Sequence, residues 1–175
     1  TLRAKAVEGF TKLLVHNAIR SEDTTIEVLS QLFLQLFDAN LAIPLVTQCL
    51  TVFFQGYSRT HPRYQALIAQ SFGSVLGVMT TSRAVRADSP FSDAVYSNVV
   101  QYFTDILNPE HLNEQFTEAR QDFSNYMKLA EAVCCELVVS IQSADVKLLL
   151  KALSNLDYAV AVNERTAVAT SQLRF

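Results

Sequence analysis

Leu2, Ala6, Val7, Phe10, Leu13 and Leu14 recur at intervals of three and four, while Lys5, Glu8 and Lys12 fall off that stripe. The chain therefore opens on an amphipathic helix over about residues 2–18. Ser21-Glu22-Asp23-Thr24 supplies the hydroxyls and acids that suit a helix N-terminus, and Ile26, Leu29, Phe33, Leu36 and Phe37 form the next stripe. Val28, Leu32 and Leu34 widen it until the second helix reads as buried nearly all round. Pro44 fits the first turn of a third helix bearing Val46, Cys49, Leu50, Phe53 and Tyr57. After the connector Ser58-Arg59-Thr60-His61-Pro62, a fourth stripe runs through Tyr64, Leu67, Ile68, Phe72, Val75, Leu76 and Met79. Gly73 and Gly77 on it would let a neighbouring helix come close.

Thr80 to Phe91 reads as a polar linker. A fifth helix is expected from about Pro90 to Leu107, with Val95, Val99, Phe103 and Ile106 inward, and Asn108-Pro109 ends it. Phe116, Ala119, Phe123, Tyr126, Ala130, Val133 and Leu137 repeat near a heptad, which predicts one long helix over about 113–142, an arm or a long repeat helix. Ser143-Ala144-Asp145 suits the cap of a shorter helix carrying Val146, Leu149, Leu150 and Leu153, and no element is assigned from Asp157 onward.

Helix pairs thus begin near Leu2, Pro44 and Pro90, about 42–46 residues apart, which is the period of HEAT and armadillo repeats. The fold expected is an all-α, HEAT/armadillo-like solenoid fragment, one domain over residues 1–175. The composition agrees: of 175 residues half are hydrophobic and only 4 Gly and 4 Pro interrupt them, so helices are favoured over turns. Stacked helix pairs bury faces against both neighbours, which accounts for so apolar a chain. Thr1 in place of Met, inside a helical pattern, is read as the start of a piece of a longer protein.

The net charge of −3 gives no electrostatic case for nucleic acid over the whole chain. Its distribution is uneven, since residues 1–86 carry a net +3 and residues 87–175 a net −6. Arg3, Lys5, Lys12 and Arg20 on the first helix, with Arg59 and Arg63 bracketing the tight turn, could build a ridge of phosphate contacts, for which spacing of donors suffices. Ordinary solvated helix faces are the competing reading of the same charges.

Three Cys, with no CxxC, suggest a reducing compartment, and no apolar run is long enough for a transmembrane span. Cys49 lies between Val46 and Phe53 and reads as core packing. Cys134 and Cys135 have Glu131 and Glu136 close by, which disfavours a thiolate. His16, His61 and His111 fall on separate elements without ligand spacing. No GxSxG, P-loop or GxGxxG is present, so no enzyme, metal or cofactor is expected. Ser89-Pro90 is a minimal proline-directed phosphorylation site in what reads as an exposed linker.

Two stretches carry a family resemblance. Ala6 to Leu14 followed by Val28 to Leu32, then Gln48-Cys49-Leu50-Thr51-Val52-Phe53-Phe54-Gln55-Gly56-Tyr57 with Arg59, Thr60, His61 and Gln65, resemble the C-terminal HEAT region of the condensin G subunit. Ser89-Pro90-Phe91-Ser92-Asp93 through Asn98-Val99-Val100 sits where that family has a linker, a Ser-Pro and a helix with Asn-Val. The resemblance covers about residues 4–112. It implies a non-catalytic subunit of the ring complex that compacts mitotic chromosomes, located in the nucleus and on chromosomes with a cytoplasmic pool. Its implied partners are the kleisin subunit, the SMC ATPases reached through the kleisin, and the backbone of double-stranded DNA, with no membrane. By the same resemblance, Arg3, Lys5, Lys12, Arg59 and Arg63 become candidate DNA contacts. Phe53, Phe54 and Tyr57 become candidate kleisin anchors, or else pack inside the solenoid. A helical-repeat scaffold that binds only proteins is the alternative.

Overall fold

A computed structural model describes residues 2–38, 43–86, 88–140 and 145–156. These contain α1 (Leu2–Val15), α2 (Glu22–Phe37), α3 (Pro44–Thr60), α4 (Pro62–Val85), α5 (Asp93–Ile106), three short 3-10 turns between Pro109 and Gln121, α6 (Ser124–Val139) and a last helix, α7, over 146–156. No strand occurs among the described residues.

The ends of these helices follow from local chemistry. α1 stops where Asn17 takes a left-handed φ of 51°: Ala18 N–H donates to the Leu13 carbonyl and Asn17 N–H to the Leu14 carbonyl, a hydrogen-bonded C-cap. Asn is among the few residues that enter that region at low cost. Ser21 Oγ accepts from Thr24 N–H and Ser92 Oγ from Val95 N–H, which caps α2 and α5. His61 ends α3 and starts α4 at once, its Nδ1 accepting from Arg63 N–H at 3.1 Å while Pro62 occupies the first helical position.

The repeat inferred from spacing has a definite register. Val7 and Leu50, Leu14 and Tyr57, Leu29 and Phe72, Leu32 and Val75, Phe33 and Leu76 are pairs 43 residues apart, and every member is buried. Equivalent positions of two helical hairpins thus face one continuous core. α2, α4 and α6 pack side by side as the tighter layer, whereas α1, α3 and α5 form a looser one. At the crossings in the tight layer Ser30 Oγ reaches the Ser71 carbonyl at 3.3 Å. Gly73 and Gly77 face Ala132 and Glu136 of α6. The fold is an all-helical, HEAT-like α-solenoid. Rings join its repeats: Phe33 of α2 stacks on Phe54 of α3 at 3.7 Å and lies 4.2 Å from Phe103 of α5, which in turn meets Phe72 of α4 at 4.7 Å. Leu149, Ala152 and Leu156 of α7 complete the core.

Several expectations need correction. Residues 80–85 belong to α4, and the connection is confined to the stretch from Arg86 to Ser92. Thr80 is buried, with its hydroxyl bonded to the Leu76 carbonyl, so its polarity is satisfied inside the helix. The helix expected over 113–142 forms only from Ser124 to Val139. Ahead of it, Phe116 and Ala119 are too few to make a buried stripe; the backbone is pinned across the α3–α4 corner by Asn113 N–H to the Arg59 carbonyl at 3.0 Å. Asp122 then accepts from Ser124 N–H, and the helix starts there. Helix five starts at Asp93, later than expected, with Phe91 buried just before it. α1 ends at Val15, so Arg20 lies in the connection to α2 rather than on the first helix, and of the α1 stripe only Val7 and Leu14 are buried. The expected cap at Ser143 and Ala144, and everything from Asp157 onward, lies outside the described residues.

Candidate functional site

The expected basic ridge divides into two places. On α1, Arg3 Nε donates to Gln35 Oε1 at 2.6 Å, Lys12 pairs with Glu8 one turn back, and Lys5 has no side-chain partner among the described residues. At the α3–α4 corner, Arg63 pairs with Glu22 at 2.8 Å while the Arg59 side chain is exposed and has no partner among the described residues. Gln35 and Glu22, which hold Arg3 and Arg63, are 13 residues apart on α2, about 20 Å along the axis and on nearly opposite faces. Arg3 and Arg63 therefore sit at opposite ends of the first hairpin. Lys5 and Arg59 have no side-chain partner among the described residues, Arg3 is held at Nε by a neutral amide, and Lys12 and Arg63 already share a carboxylate. The Lys12 hydrogen bond and charge hold the Glu8 carboxyl below its usual pKa.

The three candidate anchors form part of a ladder of rings. Phe54 is completely buried and Tyr57 nearly so, and both pack inside the solenoid, the second of the two readings their sequence left open. Tyr57 stacks on Tyr64 at 4.3 Å and 7°, and burial pushes its hydroxyl up to a pKa of about 12. Phe53 is half-buried, lying against Phe54 and Tyr57, and is the one of the three that a partner can touch. Past the exposed His61, the ladder continues to Phe116 at 5.0 Å.

Cys49 is exposed, so the reading of it as core is overturned: Val46 and Leu50 are buried on the same helix, and Cys49 falls off their face. Cys134 and Cys135 are exposed as well. Ser89 is half-buried rather than on an open linker, its Oγ 3.0 Å from Ser82 Oγ. The histidines lie apart, and no cluster able to hold a metal occurs among the described residues.

The described helices match a known family over almost their whole extent: the family described as nuclear condensing complex subunits, C-terminal domain, covers residues 1–158. The chain belongs to the Cnd3 family. A human relative, "Condensin complex subunit 3", is 28% identical over 160 residues, which is 89% of this chain. The chain spans about 15% of that relative's length. No solved structure matches it. None of the described helices is long and apolar enough to cross a membrane.

Within this Cnd3 domain the most heavily bonded polar residue is one that sequence reasoning passed over. Arg83, placed in the supposed linker, donates to Asp145 at 2.8 Å, to the Phe91 carbonyl at 2.6 Å and to Asp93 at 2.6 Å, and lies over the Tyr96 ring. Burial works against its charge, yet the hydrogen bonds it donates to Asp145 and Asp93, with their negative charges, outweigh that and leave its pKa raised. It ties α4, the connection, α5 and the start of α7 together. Asp145 is 62 residues away in sequence, so no local pattern announces the pair.

Proposed function

We propose that this chain is part of a non-catalytic condensin subunit, acting on chromosomes, that clasps the kleisin and with it contributes to holding double-stranded DNA. The observation that carries the reading is the Cnd3 match over residues 1–158, on a fold that consists of stacked repeats. The kleisin links the subunit to the SMC ATPases, and no catalytic step is assigned to these helices. Arg59 and Lys5, exposed and without side-chain partners among the described residues, are the first candidates for phosphate contacts, Arg3 adds its two open terminal nitrogens, and Lys12 and Arg63 contribute once their carboxylate partners are displaced. Phe53 is the candidate anchor that remains for the kleisin.

The dispersal of the cations favours the protein-only scaffold as the second reading. Co-expression with segments of a condensin kleisin separates the two. Co-purification with one defined segment, lost on Phe53→Asp but not on Val52→Asp, supports the clasp; no retention of any segment leaves the scaffold.

A further inference from the structure

α1 and α2 run antiparallel and leave between them an apolar groove of about 310 Å³. Its floor and walls are Ala6, Val7 and Phe10 on one side and Val28 and Leu32 on the other. The size is at the low end of ligand sites, about 300–1,000 Å³, so the groove suits one or two side chains rather than a whole helix. Its two ends differ in charge. Arg3 stands at one, steered by its Nε bond to Gln35, and its two terminal nitrogens have no partner among the described residues. Glu27 stands at the other, beside Phe10.

We infer that this groove is a docking site for a short extended segment of a partner protein, with a carboxylate at the Arg3 end, one or two large apolar side chains in the middle and a cation at the Glu27 end. Charge complementarity sets the polarity of the segment. Arg3 and Phe10 are seven residues apart on α1, about 10 Å, which is the reach of about three extended residues. The guanidinium, held at one nitrogen and open at the other two, is preset to take a carboxylate in a two-pronged bond. Phe10 is 44% exposed beside the nearly buried Val7, so an incoming aliphatic side chain covers apolar surface that the chain itself leaves open. This site goes beyond the kleisin and DNA reading and requires neither.

The test is a display selection of random 12-residue peptides on the intact chain, followed by titration of the consensus peptide by fluorescence polarisation. The expected consensus has an acid and a base about three residues apart around one or two large apolar residues. Its Kd should rise about tenfold or more in Arg3→Glu and in Ala6→Trp, which fills the groove from an exposed position. Arg3→Glu/Glu27→Arg should instead bind the peptide with its charges exchanged. Circular dichroism and the melting temperature confirm that each variant is folded. No enriched peptide, a consensus without this order of charges, affinity unchanged in both single variants, or concentration-dependent self-association abolished by Ala6→Trp would each overturn the assignment. The last result would make the groove the seat of a second copy. Kleisin co-purification that persists in Ala6→Trp would leave the condensin reading standing whatever happens to the groove.

Discussion

α1 and α4 carry equally plain hydrophobic stripes, yet they end in different surroundings. α4 lies between α2 and α6, and ten of its residues are buried, including Ile68, Phe72, Val75, Leu76 and Met79 without measurable exposure. Among the described residues α1 has neighbours on one side only, and Leu2, Phe10, Leu13 and Val15 stay between 44% and 86% exposed. In a stacked array the stripe says which face seeks cover, and the neighbour decides whether it gets it. The tight layer therefore carries the stability and α1 offers the open surface.

Alkaline pH should have the largest effect, and it acts through covered helices rather than through α1. Burial first of all pushes Tyr57, Tyr96, Tyr102 and Tyr126 up to about 12, and all four are on α3, α5 or α6. The folded state holds these protons more tightly than the unfolded state, so their contribution is intact below about pH 10 and is lost as pH rises towards 12. Stability in urea should fall steeply across that window, with the loss reduced in Tyr102→Phe. Tyr102 is the most telling of the four, because its hydroxyl is buried without a hydrogen-bond partner. A flat profile would mean that these phenols are solvated.

Side-chain truncation comes next. Phe33→Ala removes a ring packed against Phe54 and Phe103 and should cost about 3–5 kcal/mol, whereas Leu13→Ala, on the open side of α1, should change urea stability by about 0.5 kcal/mol or less. Equal losses at the two sites would erase the distinction between covered and open helices. Arg83→Gln takes the guanidinium away from the buried Asp145 and should cost about 3 kcal/mol, with hydrogen exchange rising first in 146–156 and around Phe91. The smallest effect is a gain: a methyl group added at Gly56 meets no atom within 4 Å, so Gly56→Ala should stabilise α3 by about 0.5–1 kcal/mol by restricting the unfolded chain.

How much of this was legible in the sequence varied with the distance over which the cause acts. The stripes of α2 to α5 and the repeat near 43 residues were readable because burial there follows helical periodicity. The end of α4 was not, since Thr80 and Arg83 look like linker residues until Leu76, Asp93 and Asp145 are seen to satisfy them. The 113–123 stretch mimicked a heptad through Phe116, Ala119 and Phe123 while its backbone was already committed to the Arg59 carbonyl. Cys49 shared a three-residue interval with Val46, and the direction of the buried face, which Val46, Leu50, Phe54 and Tyr57 define, put it outside. Among the candidate site residues, the surface positions of Lys5, Lys12 and Arg63 were predictable, whereas Arg59, read as part of a connector, belongs to the last turn of α3. The partners Glu22 of Arg63 and Gln35 of Arg3 and the interior position of Phe54 were not, because each depends on how α2 packs against another helix.

The most direct measurement of the proposed function is binding of a labelled DNA duplex to the chain, co-expressed with a condensin kleisin segment, across a salt series, for the parent and for Arg59→Glu/Arg63→Glu. The account predicts that the logarithm of the affinity falls linearly with the logarithm of salt, with a slope of about −0.9 per phosphate contacted, and a slope about two contacts shallower in the double variant at unchanged melting temperature. Binding that is indifferent to salt, or a slope identical in the two proteins, would contradict the placement of DNA at the α3–α4 corner.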